Sequence, residues 1–145
     1  MNRNEITNIC ARAFIFLCLF LAPACASQEA ETGQEPSMTI NVDFREVHRC
    51  SRISPEITVA YAPHGTKFYD VRLVENGSQE RFLGGGTWPE DGSGIIPEGG
   101  LTRHYTGPCP PADRSTTYTY VVTAMENENS QPLEVRLFKF NPDDL

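Results

Sequence analysis

Basic residues are scarce in this chain, and no cluster of them stands out. Lysine and arginine together number 12, against 19 aspartates and glutamates, and the formal net charge is −7 at pH 7. A surface of that sign repels nucleic acid and anionic membranes, so neither is expected as a general partner. The length of 145 residues is sufficient for one domain with a modest core.

Helical periodicity is also missing, because no stretch of ten residues repeats apolar side chains at the spacing of an amphipathic helix. Short runs of alternating apolar and polar residues take its place, separated by turn residues. We predict strands at residues 39–44, 57–61, 68–75, 79–83, 117–124 and 133–140. This pattern predicts an all-β protein, an antiparallel β-sandwich with little helix.

Glycine marks several of the predicted turns and loops. Asn76-Gly77 predicts a tight type I′ hairpin, in which both central residues need positive φ. Gly84-Gly85-Gly86 is expected to break the returning strand, and residues 92–100 to form a glycine-rich loop with a short core contact at Ile95-Ile96. Trp88 is interpreted as a lid over the core, with direct ligand contact as the alternative.

The first 26 residues have the form of an export signal. Arg3 and Arg12 supply a weakly positive start, and residues 13–22 are an apolar run too short to span a bilayer as a helix. Small residues at positions 24 and 26 are typical of a cleavage site. We therefore expect export to the periplasm or the medium, with no transmembrane segment in the mature chain.

A lipoprotein signal is the alternative for this segment. Cys25 would then carry lipid after cleavage at Ala24, and residues 27–37 would be a flexible acidic tether. The protein would be anchored to the membrane by that lipid. In both cases residues 38–145 form the predicted folded domain.

Two cysteines, Cys50 and Cys109, remain in the predicted domain. In an oxidising compartment such a pair is expected to form a disulfide. A metal site built from these two with His48 and His104 is the alternative, but neither pair has the tight spacing of metal sites. We expect no metal or other cofactor. We also expect no enzymatic activity, because no histidine is matched with a convincing nucleophile and an orienting carboxylate.

The most distinctive stretch is residues 105–111, which read Tyr-Thr-Gly-Pro-Cys-Pro-Pro. Proline lacks an amide donor and restricts φ, so this stretch predicts a stiff, kinked loop that leads to the strand at Tyr118. Such a loop can hold a ligand group with little loss of entropy. From the residues alone, the favoured interpretation is a structural corner locked by Cys109.

The same stretch, followed by Tyr118-Thr119-Tyr120, resembles the "Y-x-G-P-C-P-P…H-x-Y-x-F" pattern of bacterial phosphatidylethanolamine-binding proteins. Cys50, Ser54-Pro55 and the run Ala62-Pro63-His64-Gly65-Thr66-Lys67 resemble the "C…SPpl…aPeGTK" opening of that family. The motifs keep their order over about residues 50–140. The resemblance implies a β-sandwich with a small anion-binding pocket at one end, for phospholipid head groups or phosphate-like ligands.

This sequence departs from the family's pocket at three places. Leu83 and Thr116 align with the two pocket histidines, and the acidic loop of the family falls at residues 75–79, where one carboxylate is left. Neutral side chains cannot replace the charge-assisted bonds of imidazoles to phosphate. Arg81 would supply charge if its side chain turned into the pocket. The candidate ligand residues are Tyr105, Gly107, Pro108, Pro110, Thr116, Tyr118 and Arg81.

We therefore expect an exported, non-catalytic binding protein of this kind with a reduced pocket. Its partner would be a small anionic ligand or a phospholipid head group. The alternative is an extracellular interaction module of the fibronectin type III or immunoglobulin kind, in which residues 117–124 would suit an inner strand. Such modules do not call for the Cys-Pro-Pro loop.

Overall fold

The computed structural model describes residues 36–112 and 116–144, and strands dominate both ranges. The strands are β1 (Thr39–Asp43), β2 (Glu56–Ala60), β3 (Phe68–Asn76), β4 (Arg81–Pro89), β5 (Ile95–Ile96), β6 (Thr117–Met125) and β7 (Glu134–Phe140). Helix in these ranges is limited to two 3₁₀ turns, Glu46–His48 and Pro142–Asp144. The predicted all-β fold is confirmed.

Some of the predictions made from the sequence concern residues outside the described ranges. The export signal at residues 1–26, Cys25 and most of the acidic segment 27–37 lie outside the described residues. Among the residues that are described, no helix is long and apolar enough to cross a membrane. Export and lipidation therefore stay predictions.

The strands form two antiparallel sheets whose buried side chains belong to one apolar cluster. The smaller sheet has the order β1-β2-β5, and the larger one has the order β4-β3-β6-β7. Strand period explains which side chains are buried, since alternate residues point to opposite faces. In β3 the buried residues are Tyr69, Val71 and Leu73, whereas Arg72 between them is exposed.

β6 is an inner strand of the larger sheet and carries its most deeply buried aromatic residues. It pairs with β3 on one side and with β7 on the other. Tyr118, Tyr120 and Val122 are fully buried on its inner face. The hydroxyls of Tyr120 and Tyr105 share a hydrogen bond of 2.5 Å. This pairing satisfies both groups inside the core.

The glycine run does not break β4, and that prediction is wrong. β4 continues through Gly84-Gly85-Gly86, and Gly85 makes a two-way backbone bridge with Arg103. A Cβ on Gly85 would collide with the carbonyl oxygen of Val71, and one on Gly84 with that of His104. Glycine is needed here because neighbouring backbone approaches the strand closely.

The predicted type I′ turn at Asn76-Gly77 is also wrong, because neither residue has the positive φ which that turn requires. Asn76 instead extends β3 and donates its side-chain amide to Thr119 Oγ1 at 2.7 Å. The longer connection returns the chain so that Arg81 pairs with Glu75. This register decides where the side chain of Arg81 lies.

Candidate functional site

One end of the larger sheet places four side chains in a row across β4, β3, β6 and β7. The row consists of Arg81, Glu75, Tyr118 and Phe140, each opposite the next in the strand pairing. Directly opposed residues of antiparallel neighbours lie on the same face of a sheet. These four side chains therefore share the inner face. We call them the Tyr118 row.

Tyr118 is fully buried, yet its hydroxyl makes no well-formed hydrogen bond to any described residue. Burial raises the pKa of this hydroxyl, and the charge of Glu75 acts in the same direction. The backbone amide of Cys109 and the charge of Arg81 oppose the shift. An unsatisfied buried polar group costs about 1–3 kcal/mol. A ligand that bonded to the hydroxyl would recover part of that cost.

Arg81 and Glu75 form an ion pair beside this hydroxyl. Arg81 Nε donates to Glu75 Oε2 at 2.8 Å, and the terminal guanidinium nitrogen contacts the same oxygen. The Arg81 side chain is 66% exposed, and that of Glu75 is 20% exposed. Ion pairs near solvent contribute about 0–1 kcal/mol. The guanidinium therefore remains available to an incoming anion.

The loop ahead of β6 is tied to Cys50 and Ser51. Gly107 N donates to Ser51 O at 2.7 Å, and Cys50 N donates to Pro108 O at 2.9 Å. The disulfide predicted between Cys50 and Cys109 is confirmed. While both sulfurs are in that bond, neither can serve as a thiolate ligand of the alternative metal site.

Gly107 and Pro108 are buried, whereas Cys109 is exposed. A Cβ on Gly107 would collide with the carbonyl oxygen of His48, so this position requires glycine. The loop is therefore ordered before any ligand arrives. We call residues 107–111 the rim loop.

A second arginine near Tyr118 was missed by the sequence analysis. Arg49 contacts Asp143 in the C-terminal 3₁₀ turn, and this hydrogen bond raises the pKa of Arg49. Its side chain is 25% exposed, and its charge interacts with the Tyr118 hydroxyl. The signal was its position beside Cys50, which the disulfide brings to the rim loop. The site thus has two arginines: Arg81 is paired with Glu75, and Arg49 is paired with Asp143 and, at 3.6 Å, with Glu46.

The other candidate residues take different places. Tyr105 lies in the core, where burial raises its pKa to about 12 and its hydroxyl is engaged by Tyr120. Thr116 is half-buried just before β6, and Pro110 is half-buried in the rim loop. Leu83 packs against the core. The structure thus brings Arg81, Tyr118 and the rim loop together, and a role in binding stays a prediction for each.

His48 is buried and structural in its contacts. Its Nδ1 accepts the backbone amide hydrogen of Arg45 at 2.9 Å, and its Nε2 lies 3.4 Å from Glu98 Oε2. Burial lowers the pKa of His48, the charge of Arg45 lowers it further, and Asp43 opposes both. The imidazole is therefore neutral near pH 7 and serves to hold the Glu46–His48 turn.

Trp88 lies in β4. Trp88 is partly buried and packs against the core, in agreement with the predicted lid.

On the outer face of the larger sheet, Arg103 pairs with Asp70 at 2.9 Å beside a cavity of about 710 Å³. This second ion pair provides an internal comparison for Arg81 and Glu75.

Comparison with known proteins supports the fold. No protein-family model matches the chain, and no curated protein matches it significantly. The crystal structure of YbcL from E. coli is similar to this chain, with a TM-score of 0.58 at 14% identity. YbcL is described as a new member of the mammalian PEBP (phosphatidylethanolamine-binding protein) family. The alignment covers 73% of this chain and 98% of that chain. The chain therefore has a PEBP-like β-sandwich fold.

Proposed function

We propose that this chain is an exported, non-catalytic binding protein that takes a small anionic group at the Tyr118 row. The buried hydroxyl of Tyr118 carries the proposal, since no described residue makes a well-formed hydrogen bond to it. Arg81 pairs with Glu75 opposite Tyr118, and the pKa shifts of Tyr118 and Arg49 indicate that both arginines lie within electrostatic range of Tyr118. The PEBP-like fold adds support for a small-ligand binder, while export rests on the form of residues 1–26.

Phosphate-like groups suit this arrangement. A guanidinium offers a planar fork of donors to an oxyanion, and hydrogen bonds to charged groups contribute roughly 1.5–3 kcal/mol. The Tyr118 hydroxyl would donate one further bond. Leu83 and Thr116 cannot contribute charge, and each arginine already has a carboxylate partner. We therefore expect affinity for phosphoethanolamine of about millimolar at best.

A binding role also fits the ionisation of the site. Burial raises the pKa of Tyr118 above its ordinary value, so its hydroxyl stays protonated at neutral pH and acts as a donor. A group of this kind positions an anion but is a poor general base. The interaction-module alternative gains no support from the likeness to YbcL.

Arginine substitutions test the proposal. Titration with phosphoethanolamine, followed by calorimetry or NMR, should show weak binding that Arg81→Ala weakens about tenfold or more. The matched control is Arg103→Ala, which removes an arginine paired with a sheet carboxylate on the outer face. Equal losses in both variants would reveal only general charge attraction and would contradict the proposal.

A second arm separates free phosphate groups from lipid head groups. Inorganic phosphate should compete with phosphoethanolamine for the wild-type protein. The protein should co-sediment with vesicles that contain phosphatidylethanolamine only if its site can reach the head group in a bilayer. Binding to vesicles with no competition from phosphate would place the lipid contact elsewhere on the protein.

A further inference from the structure

The disulfide that holds the rim loop is exposed, although its neighbours are buried. Cys50 and Cys109 are both exposed residues, whereas Gly107 and Pro108 are buried directly beside them. A thiolate must reach a sulfur atom to exchange with a disulfide, so access largely decides whether exchange needs unfolding. Both residues of this pair lie at the surface of the folded domain.

Cys50 also has an unfavourable backbone conformation. Its φ is +50°, in the left-handed region that residues with a Cβ rarely adopt. Two constraints hold it there: the disulfide to Cys109 and the hydrogen bond from Cys50 N to Pro108 O at 2.9 Å. Breaking the disulfide removes one of the two, which favours the reduced state.

Other contacts would keep the first part of the rim loop in place after reduction. The hydrogen bond from Gly107 N to Ser51 O involves no sulfur, and Gly107 packs against the carbonyl of His48. Gly107 and Pro108 therefore remain docked when the sulfurs separate. The part released is Cys109 and the prolines after it. Reduction should thus be reversible without loss of the fold.

We propose that Cys50–Cys109 is a thiol–disulfide exchange site, reduced in the folded protein by a dithiol, and that its state controls the rim loop beside Tyr118. One thiolate of the dithiol attacks a cysteine sulfur, which breaks the S–S bond, forms a mixed disulfide and releases the other cysteine as thiolate. The second thiolate then displaces the bound cysteine. The dithiol loses two electrons and becomes a disulfide, and the two cysteines take up two protons as thiols.

This site does not depend on the identity of any ligand. Its link to the Tyr118 row is the rim loop, which precedes β6 in the chain, and the backbone amide of Cys109, which influences the pKa of the Tyr118 hydroxyl without a well-formed hydrogen bond to it. Movement of Cys109 would withdraw that amide. The environment of Tyr118 should therefore report the redox state.

Reduction kinetics test whether exchange occurs in the folded state. The full chain is treated with excess dithiothreitol, and free thiols are trapped by alkylation and counted by mass spectrometry. We expect a rate that is constant over urea concentrations below the unfolding transition. Val122→Ala, which shortens a fully buried side chain in β6, should leave the rate of reduction unchanged within about twofold.

The opposite result would overturn the proposal. If reduction requires global unfolding, the rate will rise with urea, and Val122→Ala will accelerate it by roughly 5–30-fold for a typical loss of stability. If that variant fails to fold, the urea dependence of the wild-type protein decides the question alone.

Tyrosine NMR tests the link to Tyr118. With ring-labelled tyrosine, the Tyr118 signal is assigned by its absence in Tyr118→Phe. Reduction should shift this signal and leave those of Tyr105 and Tyr120 in place, and Cys109→Ser should give the same shift. An unchanged Tyr118 signal, or collapse of all tyrosine signals to unfolded positions, would contradict control of the rim loop.

Discussion

Two arginine–carboxylate pairs lie on opposite faces of the larger sheet, and their surroundings differ. Arg81 and Glu75 lie on the inner face at the sheet end, beside the fully buried Tyr118. Arg103 and Asp70 lie on the outer face, next to an open cavity. Both pairs are of similar chemistry and exposure, with arginine side chains 66% and 47% exposed.

The difference is what lies next to each pair. Beside Arg81 there is a buried hydroxyl without a well-formed hydrogen bond to any described residue and a loop tied down by a disulfide. Asp70 is shared instead with a second arginine, Arg72, at 3.6 Å. A charged pair alone therefore does not identify a binding site. An unsatisfied group in an ordered setting distinguishes the inner pair.

The largest expected effect comes from removing the feature that orders the inner site. Cys109→Ser opens a loop of 59 residues in sequence separation, and the chain-entropy model predicts a loss of up to roughly 4 kcal/mol. Thermal unfolding should show a clear fall in Tm. Thr116→Ala, at a half-buried residue of the same sheet end, is the control and should hardly change Tm. Equal stability of Cys109→Ser and the wild type would show that the rim loop does not depend on the disulfide.

An intermediate effect is expected from restoring imidazoles at the inner site. Thr116→His, alone or with Leu83→His, should raise phosphate affinity about tenfold below pH 6.5, where imidazole is charged. The gain should fade as the pH rises. Isothermal titration at two pH values measures it. No gain in either variant would mean that no phosphate pocket remains beside Tyr118 and that the domain acts through its outer surface.

A smaller effect is expected from pH through His48, whose carbonyl lies against the rim loop. Burial lowers its pKa in the folded state below the ordinary value of 6.5, so protonation favours the unfolded state. The stabilisation is complete above pH 6.5 and is lost as the pH falls through the lowered pKa. Urea unfolding between pH 7 and 5 should show this loss. It should disappear in His48→Asn and persist in His64→Asn, an exposed control.

The strands could be predicted from the sequence because alternation reflects burial directly. The faces of β3 and the inward position of Tyr118, Tyr120 and Val122 follow from period two, whereas the burial of Thr119 and Thr123 on the other face of β6 does not. The disulfide followed from counting two cysteines in the predicted domain. These inferences depend on local pattern, which a single sequence contains.

The wrong predictions and the missed residue all involve contacts between segments that are far apart in the sequence. Gly84-Gly85-Gly86 looked like a strand end, whereas a Cβ at Gly84 would collide with the backbone of residues 104–105 and one at Gly85 with the carbonyl of Val71 in β3. Arg49 was missed because its nearness to Tyr118 depends on the disulfide and on Asp143. Asn76 favours a tight turn locally, but its bond to Thr119 holds it in β3. Tertiary contacts override local preference at these positions.

Tyr118→Phe tests the central claim most directly, because it removes only the hydroxyl. If that hydroxyl donates a hydrogen bond to a bound anion, the variant should bind phosphoethanolamine about tenfold more weakly, the equivalent of one hydrogen bond. Its free energy of unfolding should be unchanged or higher, since an unsatisfied buried group is lost. Unchanged affinity together with a loss of stability of about 1 kcal/mol or more would show that the hydroxyl is structural and would contradict the account.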